Sequence, residues 1–273
     1  MKYKMIVSDF DGTIYRDDYT VSKECIDAIE NYKKAGGLFF IATGRLYQAI
    51  KPHTKLFNLA NEVITYQGGG VYDLTSDKMI LSYSISDELA SDIYKSIADK
   101  YQSVTMPMMF YNDLCYTTFE NKPVSDFANI VKVSVNYTKM PISEYIEKNK
   151  ISPNKILFLV EPKHGDEVVS FIKEKYGDNI NVNRSNYVLI EIVSKDASKG
   201  NAVKWLANKY NINREEIICI GDAENDNSMI EYAGLGVAMG NAMDTTKKVA
   251  DYVTDTNNND GVAKVIREIA LKE

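Results

Sequence analysis

The chain has 273 residues, 45% of them hydrophobic and 26% charged, with 15 Gly and 6 Pro, a globular composition that excludes disordered and collagenous chains. Its 32 basic residues stand against 38 acidic ones, a formal charge of -6, which argues against a nucleic-acid or anionic-membrane binder, since such proteins present a basic face. Cys25, Cys115 and Cys219 form no C-x-x-C pair, so neither a disulfide framework nor a thiolate zinc site is expected.

The first apolar run, Met5-Ile6-Val7, is short and stops at Ser8-Asp9. It is too brief for a signal sequence or a membrane span, and a cytoplasmic location is expected. Similar runs follow at 38–42, ending in Thr43-Gly44, and at 217–220, ending in Gly221-Asp222. Each reads as a buried parallel strand. Helical spacing appears at 22–35, 45–57, 199–210 and 225–233, and strand alternating with helix predicts a doubly wound, Rossmann-like α/β core. Ligands of such sheets bind beyond the carboxyl ends of the strands, where Asp9, Thr43 and Asp222 would converge.

The interval between Thr43 and Lys199 is far longer than one βαβ crossover needs, so a second folding unit is expected within it. Residues 104–111, 131–135 and 155–160 read as its strands, and 87–101 and 166–176 as its helices. The division expected is a core of residues 1–81 plus 189–273 with an inserted α/β cap at 82–188. Residues 257–261 read as a loop and 262–271 as a closing helix.

Asp9 and Asp11 lie two apart on a Gly-containing turn, where one carboxylate can attack a phosphoryl group and the other can shuttle a proton. A plain turn after a strand explains the fragment equally well. Asp222 and Asp226 are four apart, near one face; with Asp9 they form an oxygen-rich set suited to Mg²⁺. Helix capping is the plainer alternative. Thr43-Gly44-Arg45 offers a hydroxyl and free N–H groups to phosphate, or merely a capping threonine. Lys199 opens a helix, where a cation opposes the macrodipole unless an anion sits there; alone it reads as a surface lysine. His53 and His164 are too isolated for a zinc pair or a triad and read as surface or structural. Val203, Trp205 and Leu206 read as helix packing.

Taken in order, Asp9-x-Asp11-Gly12-Thr13, Thr43-Gly44-Arg45, Ser198-Lys199-Gly200 and Gly221-Asp222-x-x-Asn225-Asp226 resemble the four motifs of the haloacid dehalogenase-like (HAD) superfamily. The large insertion between the second and third resembles the Cof-type hydrolases with their α/β cap, as do the segments 237–242 and 260–263. This resemblance implies that Asp9 is the nucleophile and Asp11 the general acid/base. It implies that Gly12, Thr43, Gly44, Lys199 and Asn225 hold the phosphate, and that Asp9, Asp222 and the main-chain carbonyl of Asp11 bind Mg²⁺. Asp226 would orient Lys199 or the waters of the metal. The activity implied is that of a Mg²⁺-dependent phosphatase of small phosphorylated metabolites, such as sugar phosphates or phosphorylated cofactors, working through an aspartyl phosphate. Phosphomutase-type transfer and a non-catalytic phosphate binder are the alternatives. The second aspartate, Asp11, disfavours the dehalogenase branch. Arg45 and Arg184 are candidates for a second anionic group on the substrate, and no obligate protein partner is expected.

Overall fold

The computed structural model describes residues 1–131 and 133–272. The chain begins with β1 (Met5–Ser8), α1 (Lys23–Lys34), β2 (Leu38–Ala42), α2 (Tyr47–Thr54), β3 (Glu62–Thr65), β4 (Gly70–Asp73) and β5 (Lys78–Ser82). A middle stretch follows with α3 (Asp87–Tyr101), β6 (Thr105–Tyr111), β7 (Leu114–Thr117), α4 (Lys122–Val131), β8 (Val135–Tyr137), α5 (Ile142–Asn149), β9 (Lys155–Val160), α6 (Gly165–Tyr176), β10 (Ile180–Asn186) and β11 (Leu189–Ser194). It closes with α7 (Lys199–Tyr210), β12 (Ile217–Gly221), α8 (Asn227–Tyr232), β13 (Leu235–Ala238), α9 (Asp244–Val249), β14 (Tyr252–Val253) and α10 (Gly261–Val265).

The first and last stretches build one sheet in the order β14-β13-β12-β1-β2-β3-β4-β5. The pairs from β14 to β3 are all parallel, and β4 turns back antiparallel on β3. β1 lies between β12 and β2, with Ser8 level with Ile220 and Ile41, so the chain segments after these three strands emerge side by side. Because both faces of these strands are covered, their residues are apolar throughout rather than alternating. Met5, Val7, Phe40 and Ala42 pack with Ala202, Val203 and Leu206 of α7 and Met229 of α8. Trp205 lies partly buried against the same cluster.

Local signals set the helices. Ser22 caps α1 by accepting the N–H of Cys25 at 3.0 Å, Lys33 and Lys34 complement its carboxyl end, and Cys25, Ala28, Ile29 and Tyr32 form its buried stripe. Pro52 lies inside α2, which is shorter than the helix expected over 45–57 and passes into a 3₁₀ turn at Lys55–Phe57. The helix expected from residue 225 begins at Asn227, after a 3₁₀ turn at Glu224–Asp226. The loop expected at 257–261 contains a 3₁₀ turn at Asn257–Asn259, and the closing helix changes to π geometry at Ile266–Ala270.

The chain divides into two compact units, Met1–Leu81 with Ser198–Glu273, and Ser82–Ala197; of these, Lys132 and Glu273 lie outside the described residues. The second junction therefore differs from the one expected after residue 188. The physical reason is β11: its residues 189–192 pair with β9 and also with β10, so they are part of the inserted sheet. That sheet runs β10-β11-β9-β6-β7-β8, antiparallel except between β7 and β8. One face carries Met109, Ile156, Phe158, Ile190 and Ile192, packed against Ile93 and Ile97 of α3, Ile146 of α5 and Ile172 of α6. The strand expected at 131–135 is not formed as such. Val131 ends α4, whose Val124 and Ala128 are buried one turn apart. The N–H of Val133 donates to the carbonyl of Ala128 at 3.0 Å, and β8 starts only at Val135. Lys132, within that expected strand, lies outside the described residues. Among the described residues no helix is long and apolar enough to cross a membrane.

Candidate active site

Two neighbouring strand ends of the parallel sheet bring the carboxylates together. Asp9 follows β1, Asp222 follows β12, and Asp226 is carried back by the 3₁₀ turn after it. Lys199, the first residue of α7, is fully buried, and its Nζ donates to Asp9 Oδ1 and to Asp226 Oδ1, each at 2.5 Å. A lysine at this end of a helix is disfavoured by the macrodipole; two carboxylates supply the compensation. Burial by itself would favour the neutral amine, but the charges of Asp226 and Asp9 outweigh it and hold the Lys199 pKa above that of an ordinary lysine.

Asp226 is committed on both oxygens. Its Oδ2 accepts the N–H groups of Asp222 and Ala223 at 2.9 and 3.0 Å, so it braces the loop that carries Asp222 while its other oxygen aims the lysine. Asp222 in turn accepts the Thr13 hydroxyl at 2.9 Å. Gly12 has a φ of +75°, and a Cβ there would lie 2.6 Å from Asp222 Oδ2. The glycine thus serves both the left-handed turn and the close approach of the two loops.

Desolvation dominates the electrostatics. Burial pushes the Asp9 carboxyl well above the usual carboxylate range; Lys199 opposes this, and Asp226 and Asp222 add to it. Burial, followed by the charge of Asp226, pushes Asp222 up to about 6. Asp9, Asp222 and Asp226 can each place one carboxylate oxygen within 4.8 Å of the others. An all-oxygen donor set that is short of positive charge fits a hard divalent cation. Since Asp226 is already spent, Asp9 and Asp222 are the carboxylates left for it.

Asp11 points elsewhere. Its carboxylate is gripped by Arg45, Nε to Oδ2 at 2.8 Å and Nη2 to Oδ1 at 2.5 Å. The Arg45 guanidinium carbon lies 5.0 Å from the ring centre of Phe10 and 5.3 Å from that of Tyr15, and its Nη1 is 3.2 Å from His53 Nε2. His53, read as a surface or structural residue, thus belongs to the shell around Asp11, with its ring 5.0 Å from that of Phe10. Arg45 proves to be a partner of Asp11. Arg184 lies in the inserted unit, where Nη1 donates to Asp166 and Nη2 to the carbonyls of Pro162 and Tyr187 at 2.9 and 2.8 Å, while its buried Nε has no hydrogen-bond partner among the described residues.

Thr43 is buried after β2, and its hydroxyl accepts the N–H of Arg45 at 3.1 Å, opening the turn into α2 with Gly44. Asn225 donates through Nδ2 to Gln67 Oε1 at 2.7 Å, a partner absent from the expected set. Asn241 donates to the carbonyl of Gly12 at 2.8 Å and accepts the N–H of Asn257 at 2.9 Å. Asn257 also donates to the Tyr15 carbonyl at 3.1 Å. The segments 237–242 and 257–260 therefore prop the turn after β1. Asn241 lies in the short motif at 237–242, whereas Asn257 precedes the motif at 260–263 and read only as part of a loop, so neither had an individual role legible in the sequence.

A family of haloacid dehalogenase-like hydrolases matches residues 6–266 of the chain. YxeH of Bacillus subtilis, whose name ranks it among candidate phosphatases, is 32% identical over 98% of this chain and 99% of its own. YitU of the same organism, named a 5-amino-6-(5-phospho-D-ribitylamino)uracil phosphatase, is 26% identical over 97% of this chain and 96% of its own. The X-ray structure of a Thermotoga maritima protein is similar to this one with a TM-score of 0.87 and 31% identity, covering 99% of this chain and 98% of that one.

Proposed function

Because the chain belongs to the haloacid dehalogenase-like hydrolases, we propose that it removes phosphate from small phosphorylated metabolites by way of a phosphoryl group carried on Asp9. The observation that carries this reading is the buried triad in which Lys199 bridges Asp9 and Asp226 at 2.5 Å. It points one carboxylate of fixed position at the mouth of the sheet and places a permanent cation beside it.

In the first half of the reaction Asp9 attacks phosphorus, the bond to the leaving oxygen breaks, and Asp11 in its acid form, with one oxygen kept on Arg45 and the other freed from it, delivers a proton to that oxygen. In the second half Asp11, now a base, takes a proton from water, whose oxygen attacks phosphorus and frees Asp9 and inorganic phosphate. Lys199, the Thr43 hydroxyl, the N–H groups about Gly12 and Gly44, and Asn225 would hold the phosphoryl oxygens. Asp9, Asp222 and the carbonyl of Asp11 would hold Mg²⁺, which when bound would supply neutralising charge to nucleophile and phosphoryl group. Asp9 must be ionised to attack; burial opposes that, the charge of Lys199 works against burial, and Mg²⁺ when bound would add to the effect of Lys199.

Selection of the leaving group is assigned to the inserted unit, since the catalytic residues named here all address nucleophile, phosphoryl group or proton. Two relatives, YitU and YcsE, are named as phosphatases of 5-amino-6-(5-phospho-D-ribitylamino)uracil, which makes a phosphorylated cofactor precursor a reasonable member of the substrate panel. The test is phosphate release from sugar phosphates, that ribityl phosphate and an aryl phosphate, with Mg²⁺ or EDTA. Release that needs both Mg²⁺ and Asp9 is expected; release in EDTA, or no release from any compound, overturns the proposal.

A further inference from the structure

Between β3 and β4 the backbone does something costly. Tyr66, Gln67 and Gly68 have φ values of 54°, 60° and 91° in succession, and two of these left-handed residues carry side chains. A non-glycine residue held there is strained, a strain that glycine in its place would avoid. The run brings this loop against three of the four motif segments. The N–H of Gln67 donates to the Thr43 carbonyl at 3.1 Å and that of Tyr66 to the Arg45 carbonyl at 3.2 Å. A Cβ on Gly68 would lie 2.1 Å from the carbonyl oxygen of Ser198. The third contact is the side chain of Gln67, whose Oε1 accepts from Asn225 Nδ2 at 2.7 Å.

The other end of the same amide is a donor. A Cβ on Gly44 would fall 2.3 Å from Gln67 Nε2, so the amide lies directly over the Thr43-Gly44 turn, and Nε2 has no acceptor among the described residues. An amide whose oxygen is fixed by one phosphate-loop residue, and whose N–H₂ rests over another, is poised to donate to an oxygen held between them.

Resting on the phosphatase reading above, we infer that Gln67 is itself a phosphate-binding residue: Nε2 donates to a phosphoryl oxygen while Oε1 keeps Asn225 in place. The strained loop persists because it delivers this amide. Glycine at 67 would relax the backbone and lose the donor, whereas glutamate would keep an acceptor for Asn225 and lose the donor.

The experiment is calorimetric titration of inorganic phosphate, in Mg²⁺ buffer, into wild type, Gln67→Gly and Gln67→Glu, with melting temperatures and KM for an aryl phosphate in parallel. Loss of a hydrogen bond to a charged oxygen predicts phosphate binding weaker by about tenfold or more in both variants. KM should rise with it, while Gln67→Gly melts no lower than wild type. Phosphate affinity within twofold of wild type in Gln67→Gly overturns the inference. Weakened binding in Gln67→Gly with wild-type binding in Gln67→Glu also overturns it, since Gln67 would then act only through Asn225. If Gln67→Gly fails to fold, Gln67→Glu decides alone. Because phosphate binding is read without turnover, an inactive wild type that still binds phosphate would count against the phosphatase reading and leave this assignment standing; no phosphate binding by wild type would overturn it.

Discussion

Arg45 holds the carboxylate of Asp11 in a two-pronged grip, with its guanidinium set over the rings of Phe10 and Tyr15. The planar fork fixes the direction of a carboxylate as well as attracting it, which a lysine ammonium cannot do. Asp11 lies on a half-exposed loop, so without this clamp its side chain would sample several rotamers. Arg45→Lys is therefore expected to slow turnover of alkyl phosphates by about 10 to 100-fold, within the span of general acid catalysis. An activated aryl phosphate, whose leaving group needs little protonation, should lose much less. Equal losses on the two substrate types would show that Arg45 does not work through Asp11.

Asp9→Asn preserves shape and removes the nucleophile. Turnover should fall by at least about 10⁴-fold, as when a covalent nucleophile is deleted. The fold should survive, because Lys199 retains Asp226 and one carboxylate fewer is buried. Phosphate release together with a thermal melt monitored by circular dichroism checks both halves, and a variant that melts far below wild type would contradict the second.

Lys199→Met addresses stability rather than chemistry. It leaves Asp9 and Asp226 buried without their cation, a situation that costs about 3–5 kcal/mol when one partner of a buried pair is removed. Denaturant unfolding in EDTA should show that loss. A change below about 1 kcal/mol would mean that the carboxylates find solvent or protons more easily than their burial implies.

The raised pKa values of Asp9 and Asp222 make the contribution of the site to the pH dependence of the metal-free protein. Each carboxyl holds its proton more tightly when folded than when unfolded. The folded state therefore binds more protons between the ordinary carboxylate range and about 6 for Asp222, and stability falls as pH rises through that window. The slope contributed by one such group is about 1.4 kcal/mol per pH unit. Added Mg²⁺ competes with these protons, so the rise in melting temperature that it gives should be larger at pH 7 than at pH 5. Equal increments at the two pH values would count against Asp222 as a ligand.

The residues most legible in the sequence were those that end an apolar run. Asp9, Thr43 and Asp222 each follow a strand of one parallel sheet, and topology alone predicts their convergence. Lys199 was legible for an electrostatic reason, as a cation placed where the helix disfavours one. Gln67 was not, because nothing in Tyr66-Gln67-Gly68 announces left-handed backbone at non-glycine positions, and its partner Asn225 lies 158 residues away. His53 reads as surface or structural, and its particular place beside Arg45, Phe10 and Tyr15 was not legible for a similar reason: tertiary packing draws them to one spot. The second domain junction was placed too early because residues 189–194 have the period of any half-buried strand. Only pairing with β9 and β10 tells to which sheet they belong.

The central place of β1 bears on how the chain is made. β1 is synthesised roughly 200 residues before β12, one of its two neighbours in the sheet. At common rates of elongation that interval is roughly 10 to 40 seconds. Throughout it the strand that leads into Asp9 has β2 on one side and an open row of N–H and C=O groups on the other. The inserted sheet draws all its pairings from residues 105–194, so its partners are complete while β1 still waits. For this protein the nascent chain is most exposed to wrong strand pairing at the element that carries the nucleophile, and a pause or truncation before residue 217 would leave that edge unsealed.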